Sequence, residues 1–176
     1  ASHGHKVNFC KFTNETRNAI EDASGNSGQR YLAAVTGACA GGGYELALAA
    51  DHILLVDDGS TTISLPEVPL LAVLPGTGGL TRIVDKRFVR RDLADLFSTT
   101  EEGVRGQRAV DWKLVDEIAP ASRIEEAISA RANAMAETSQ RPDDAKGIAL
   151  GSLDRVFSDT GVLYSTVAVE LDRESR

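Results

Sequence analysis

Three successive glycines, Gly41-Gly42-Gly43, separate the small-residue run Ala38-Cys39-Ala40 from the helix-compatible stretch Tyr44-Glu45-Leu46-Ala47-Leu48-Ala49-Ala50-Asp51. No other feature restricts the fold of this 176-residue chain as much, because glycine accepts backbone conformations closed to residues with a Cβ. Just upstream, Tyr31 to Val35 is a short apolar run of the kind that forms a buried strand, and Gly37 ends it. The arrangement predicts a tight strand-to-helix turn. The first N–H groups of a helix have no acceptor one turn earlier. They lie bare where a developing negative charge is best stabilised.

The pattern then repeats. Ile53 to Val56 reads as a second buried strand, closed by the turn-forming run Asp57-Asp58-Gly59-Ser60. Thr61 to Leu65 is a third extended piece and runs into Pro66-Glu67. After Val68 to Leu74 comes a second glycine-rich turn, Pro75-Gly76-Thr77-Gly78-Gly79, leading to a helix around Leu80 to Ile83. Farther on, Ser122-Arg123-Ile124-Glu125 has the form of a capping box, before a helix that turns Ile124, Ile128 and Met135 to one face. Alternating strands and helices are the rhythm of an α/β fold.

Three segments are expected. Residues 1–30 form a polar lead-in with little apolar periodicity after Ile20, residues 31–140 hold the core and its following helices, and residues 141–176 are a linker and the start of a second domain. In the last segment the turn Asp159-Thr160-Gly161 precedes an alternating run, Val167, Val169 and Leu171, that reads as a strand.

Composition narrows the function. With 42% apolar residues the chain can bury a core of one ordinary domain. A net charge of −7 disfavours an electrostatic grip on nucleic acid or an anionic membrane, so a small molecule or a protein is the expected partner. No apolar stretch approaches the roughly 18 to 20 residues of a membrane helix, and the polar opening Ala1 to Lys6 does not read as a signal peptide; a cytoplasmic location is expected. Two cysteines, Cys10 and Cys39, suit reduced thiols rather than a disulfide framework. His3 and His5 form an H-x-H pair with no further ligand nearby, so they read as a solvated, flexible start, and no metal site is expected.

Glycine-rich turns commonly cradle phosphates, yet neither turn fits a dinucleotide or P-loop pattern. The other use is an oxyanion hole, in which the amide of Gly42 and its neighbours hold a thioester oxygen as it becomes an enolate. Gly41 and, on the second turn, Gly76 are further candidate oxyanion or substrate-binding positions. Such chemistry needs acid and base. Glu45 lies within a helical turn of the glycines, and Glu67 follows 22 residues later beside Pro66. Two carboxylates sharing an apolar pocket push one pKa upward, so one can donate while the other accepts. The plainer alternatives are a dipole-favoured surface charge for Glu45 and a loop charge for Glu67. Arg82, Lys86, Arg87, Arg90 and Arg91 could meet phosphates, though a solvated helix face is the simpler account. Cys39 has no histidine near it in sequence to activate it and reads as a small buried thiol.

The run from Ala34 to Ala47 resembles the signature of the crotonase, or enoyl-CoA hydratase/isomerase, superfamily, as do Pro66-Glu67 and Leu74 to Arg82. The segments Gly106 to Ala109 and Lys113 to Ile118 are similar to the region that follows. The likeness covers roughly residues 31 to 120. It implies a crotonase-like spiral of ββα units, Gly42 as the oxyanion amide, Glu45 and Glu67 as the catalytic pair, and an acyl-CoA substrate. Coenzyme A would enter as part of that substrate, with no bound cofactor, and the protein would be a homo-oligomer. Many superfamily members keep one glutamate, so two favour water chemistry.

Some features depart from an ordinary hydratase. The loop between the glutamates is longer, Ser64-Leu65 precedes the proline, and Trp112-Lys113 replaces the usual glycine. With the stretches Lys6 to Asn18 and Ser64 to Leu71, they look like a branch that opens a ring derived from benzoyl-CoA with water and releases formate. A generic hydratase or isomerase, or a non-catalytic module on the same scaffold, are the alternatives. The resemblance also implies that a first oxyanion amide and the N-terminal strands of the core belong to a segment preceding this chain, so that a fragment, inactive by itself, is expected.

Overall fold

The computed structural model describes residues 2–147, 149, 151–165 and 167–171, with side chains from residue 11 onward. The chain divides into two compact units, Ala1–Pro142 and Asp143–Arg176.

The larger unit is built on strands β1 (Leu32–Val35), β2 (Cys39–Ala40), β3 (His52–Asp57), β4 (Ile63–Ser64) and β5 (Glu117–Pro120). β1, β3 and β5 form one parallel sheet with β3 in the middle, and β2 pairs in parallel with β4 in a second. Ile53, Leu54, Leu55 and Val56 of β3 are all buried, as a central parallel strand covered on both faces requires. Helix α2 (Gly42–Ala47) follows β2, and α3 (Glu67–Leu71) follows β4. Two successive ββα units therefore lay their first strands in one sheet and their second strands in the other.

Helices α4 (Gly79–Asp85), α5 (Arg91–Thr99) and α6 (Gln107–Asp111) complete the core. Tyr44 anchors α2 there. Its ring meets Phe97 edge-on at 5.7 Å, and its hydroxyl donates to the carbonyl of Leu114 at 2.7 Å.

Two local expectations are corrected. The polar lead-in is largely a helix, α1 (Ser2–Asn26), so the backbone of His3 and His5 lies in a helix and not on a flexible terminus. Their side chains are outside the described residues. α1 buries Thr13 and Arg17, spaced four apart, and sends Glu21 to Arg82 and Ser24 to Asp51. Among the described side chains its buried contacts are mainly polar, which is why no apolar period marked it. The capping box does not form either. Ser122 is drawn into a 3-10 turn, Ala121–Arg123, and α7 (Ile124–Glu137) starts at Arg123 with no side-chain cap. Ile124, Ile128 and Met135 do share its half-buried face.

In the smaller unit, β6 (Arg155–Ser158), β7 (Gly161–Tyr164) and β8 (Ala168–Glu170) make an antiparallel meander. The run expected as one strand is thus the last of three. At Gly161 a Cβ would stand 2.0 Å from the Val169 carbonyl oxygen, so only glycine fits. Val167, Val169 and Leu171 are exposed. Among the described residues no helix is long and apolar enough to cross a membrane.

Candidate active site

The first glycine turn divides its labour. Gly41, at φ 54°, caps α2 and donates its N–H to Ser64 O at 3.0 Å, continuing the β2–β4 pairing. That N–H is taken, so the expected oxyanion role of Gly41 is corrected. What Gly41 supplies is room: a Cβ there would stand 2.7 Å from Glu67 Oε1. Gly42 opens α2, and its N–H is among those a helix leaves without an acceptor.

Glu45 is 2% exposed. Its Oε1 accepts the N–H of Thr77 at 3.1 Å and of Gly79 at 2.7 Å, and its Oε2 accepts the Thr77 hydroxyl. The second glycine turn is therefore a clamp for this carboxylate. Gly78, at φ 83°, turns the chain so that the amides on either side of it converge. A Cβ on Gly79 would meet Glu45 Oε1 at 3.0 Å and Leu65 Cδ1 at 3.1 Å. Gly76 sits exposed with open space over its Cα. In the sequence Thr77 is marked by nothing more than a hydroxyl inside a glycine-rich turn.

Glu67 begins α3 behind Pro66 and is half-buried. Its Oε2 is shut off from solvent and has no hydrogen-bond partner among the described residues. Burial pushes this carboxyl above the ordinary carboxylate range and the charge of Glu45 adds to the rise, while its own backbone N–H pulls the other way. The structure thus brings Glu45 and Glu67 together as unequal partners. Glu45 is pinned through both oxygens, and Glu67 holds a buried oxygen ready to accept a hydrogen bond. An apolar groove of about 430 Å³ reaches the first turn, bordered by Val35, Thr36, Ala38, Cys39, Gly43 and Leu46.

The basic cluster is mostly structural, which corrects its reading as a solvated face. Arg82 forks onto Glu21 at 2.9 and 2.6 Å, and Arg87 pairs with Asp116 at 2.9 Å. Lys86 donates to the carbonyls of Leu48, Ala49 and Ala50 at the end of α2. Burial pushes the Cys39 thiol up, which suits a packing role over a nucleophile. Among the described residues no group of three or more His, Cys, Asp or Glu could hold a metal ion.

Residues 14–146 match the model of the family described as enoyl-CoA hydratase/isomerase. The whole chain is 59% identical to the benzoyl-CoA-dihydrodiol lyase of Aromatoleum evansii and spans 32% of that protein's length. Among solved structures, the enoyl-CoA hydratase of Geobacillus kaustophilus is 35% identical with a TM-score of 0.65, over 77% of this chain and 48% of that one. The carnitinyl-CoA hydratase of Mycobacterium avium is 34% identical with a TM-score of 0.54, over 62% and 40%.

Proposed function

The chain belongs to the enoyl-CoA hydratase/isomerase family, and on that premise we propose that the complete protein carrying it is an acyl-CoA lyase that opens 2,3-epoxybenzoyl-CoA with water and releases formate. The identity of 59% to a lyase named for the benzoyl-CoA dihydrodiol supports this substrate class. The observation that carries the reading is the asymmetry of the two carboxylates: Glu45 held by three donors, Glu67 with an unpartnered buried oxygen.

In the proposed mechanism, the N–H of Gly42 polarises the thioester carbonyl together with an amide from outside this chain. Each carboxylate oxygen can accept two hydrogen bonds, so Glu45 Oε2 keeps one site and Glu67 Oε2 keeps both. A water lodged between them donates to both. Glu67, whose proton affinity is raised, carries the mobile proton to or from the ring carbon while Glu45 orients the water. Coenzyme A enters with the substrate, and the working protein is a homo-oligomer in the cytoplasm.

The likeness to enoyl-CoA hydratases favours a second reading, simple hydration of an enoyl-CoA. Formate release from 2,3-epoxybenzoyl-CoA, run beside hydration of crotonyl-CoA with the complete protein, separates the two. Formate with little hydration supports the lyase. Hydration without formate leaves the generic hydratase, and neither activity, with acyl-CoA still protecting the protein thermally, leaves a binding module.

A further inference from the structure

Arg17 of α1 is 4% exposed, and two of its three guanidinium nitrogens, Nε and Nη1, have no hydrogen-bond partner among the described residues. Nη2 donates to the side chains of Asn14 and Asn18. Burying a cation with open donors is costly, and such sites are often more stable when refilled with an apolar side chain of similar volume. Packing alone gives no reason to hold a guanidinium here.

Its surroundings supply one. A Cβ on Gly78 would stand 3.2 Å from Arg17 Nη1 and 2.6 Å from Arg82 Nη1, so both cations press against the one residue between the two that clamp Glu45. Arg82 is itself fixed by its fork onto Glu21 and by a 3.4 Å bond to Gly78 O. Burial and the like charge of Arg82 disfavour the Arg17 cation, and the charges of Glu21 and Glu45 oppose them. Arg17 touches no reacting atom.

We propose that Arg17 is a positioning residue: packed on Gly78 with its charge towards Glu45, it holds the Thr77–Gly79 turn in the geometry that clamps the catalytic carboxylate. The link to catalysis rests on the functional reading above; the bracing of the turn does not. Two variants of the complete protein test it, Arg17→Met, which keeps the stem and removes the charge, and Arg17→Lys, which keeps the charge.

In Arg17→Met the amides of Thr77 and Gly79 should exchange with solvent deuterium about tenfold faster or more, with thermal stability kept or raised. Arg17→Lys should restore slow exchange. Turnover of the CoA thioester should fall about tenfold in kcat in the Met variant, with KM changed by less than about twofold, and recover in the Lys variant. Unchanged exchange at Thr77 and Gly79 in Arg17→Met overturns the proposal whatever the activity. If Arg17→Met does not fold, exchange in Arg17→Lys decides: wild-type protection supports the proposal, and loss of protection with a lowered melting temperature overturns it by assigning Arg17 a packing role. A wild-type protein that turns over no CoA thioester refutes the functional reading and leaves the exchange result standing.

Discussion

Thr77→Val removes one donor from the Glu45 clamp and little else. Thr77 is buried, valine has nearly its shape, and the backbone amides of Thr77 and Gly79 still reach Oε1. What is lost is the hydroxyl on Oε2, leaving that oxygen of a buried carboxylate without a donor among the described residues. A hydrogen bond to a charged group contributes about 1.5–3 kcal/mol, and an orphaned buried partner puts the loss at the upper end, about 2–3 kcal/mol. For a protein of this size that lowers the melting temperature by about 5–10 °C. Urea unfolding of wild type, Thr77→Val and Thr77→Ser gives the number directly. Serine keeps the hydroxyl and should lose only the methyl, about 1 kcal/mol. In a cycle with Glu45→Gln, the Thr77→Val effect should shrink, because an amide nitrogen at the Oε2 position no longer needs the donor. A loss under about 0.5 kcal/mol in Thr77→Val would refute the clamp.

Four further outcomes are expected. Glu67→Gln should lower kcat by about 10²–10⁴-fold while keeping thermal protection by acyl-CoA. Because the folded carboxyl holds its proton more tightly than the unfolded one, the native state binds more protons, so wild-type stability falls as pH rises from the ordinary carboxylate value through the raised one. Melting curves of Glu67→Gln across that window should lack the slope, and parallel curves would refute the raised pKa. Gly41→Ala drives a Cβ onto Glu67 Oε1 and should lower kcat about 10- to 100-fold. Gly59→Ala also places a side chain at positive φ, but with nothing nearby, and is the control that should keep wild-type turnover. Lys113→Gly should raise stability by about 1 kcal/mol in urea unfolding. Lys113, at φ 60°, occupies the left-handed position after α6, where Lys113 N reaches Val110 O and Leu114 N reaches Ala109 O in the paired bonds of a Schellman turn.

Strands β1 and β3 of the main sheet and the two glycine turns were legible because each is set by a few neighbouring residues: an unbroken apolar run for β3, successive glycines before α2. Helix α1 was not, since its buried residues among those described are Thr13 and Arg17 and their setting is polar, leaving no apolar period to detect. The capping box misled for a related reason. Ser122 and Glu125 have the right spacing, but the chain leaves Pro120 in a 3-10 turn that consumes Ser122 before the helix begins. At the site, Glu45, Glu67 and the turn at Gly42 were readable as a set. Gly41 stood as a candidate oxyanion or substrate-binding position, whereas its N–H pairs with Ser64 O and its work is the space it leaves.

By itself the sequence determined the buried strands β1 and β3, the two glycine-rich turns, their order, and that one carboxylate, Glu45, follows the first turn while another, Glu67, precedes the second. The tertiary structure alone decided how those carboxylates differ. The donors that pin Glu45 come from 32 and 34 residues away, and the cation that braces them comes from α1. A helix or a turn is settled by forces acting over a few residues of chain. Which buried oxygen receives a donor, and which is left open, is settled only when closing the fold brings distant segments within hydrogen-bonding distance and shuts out the water that would otherwise have made them alike.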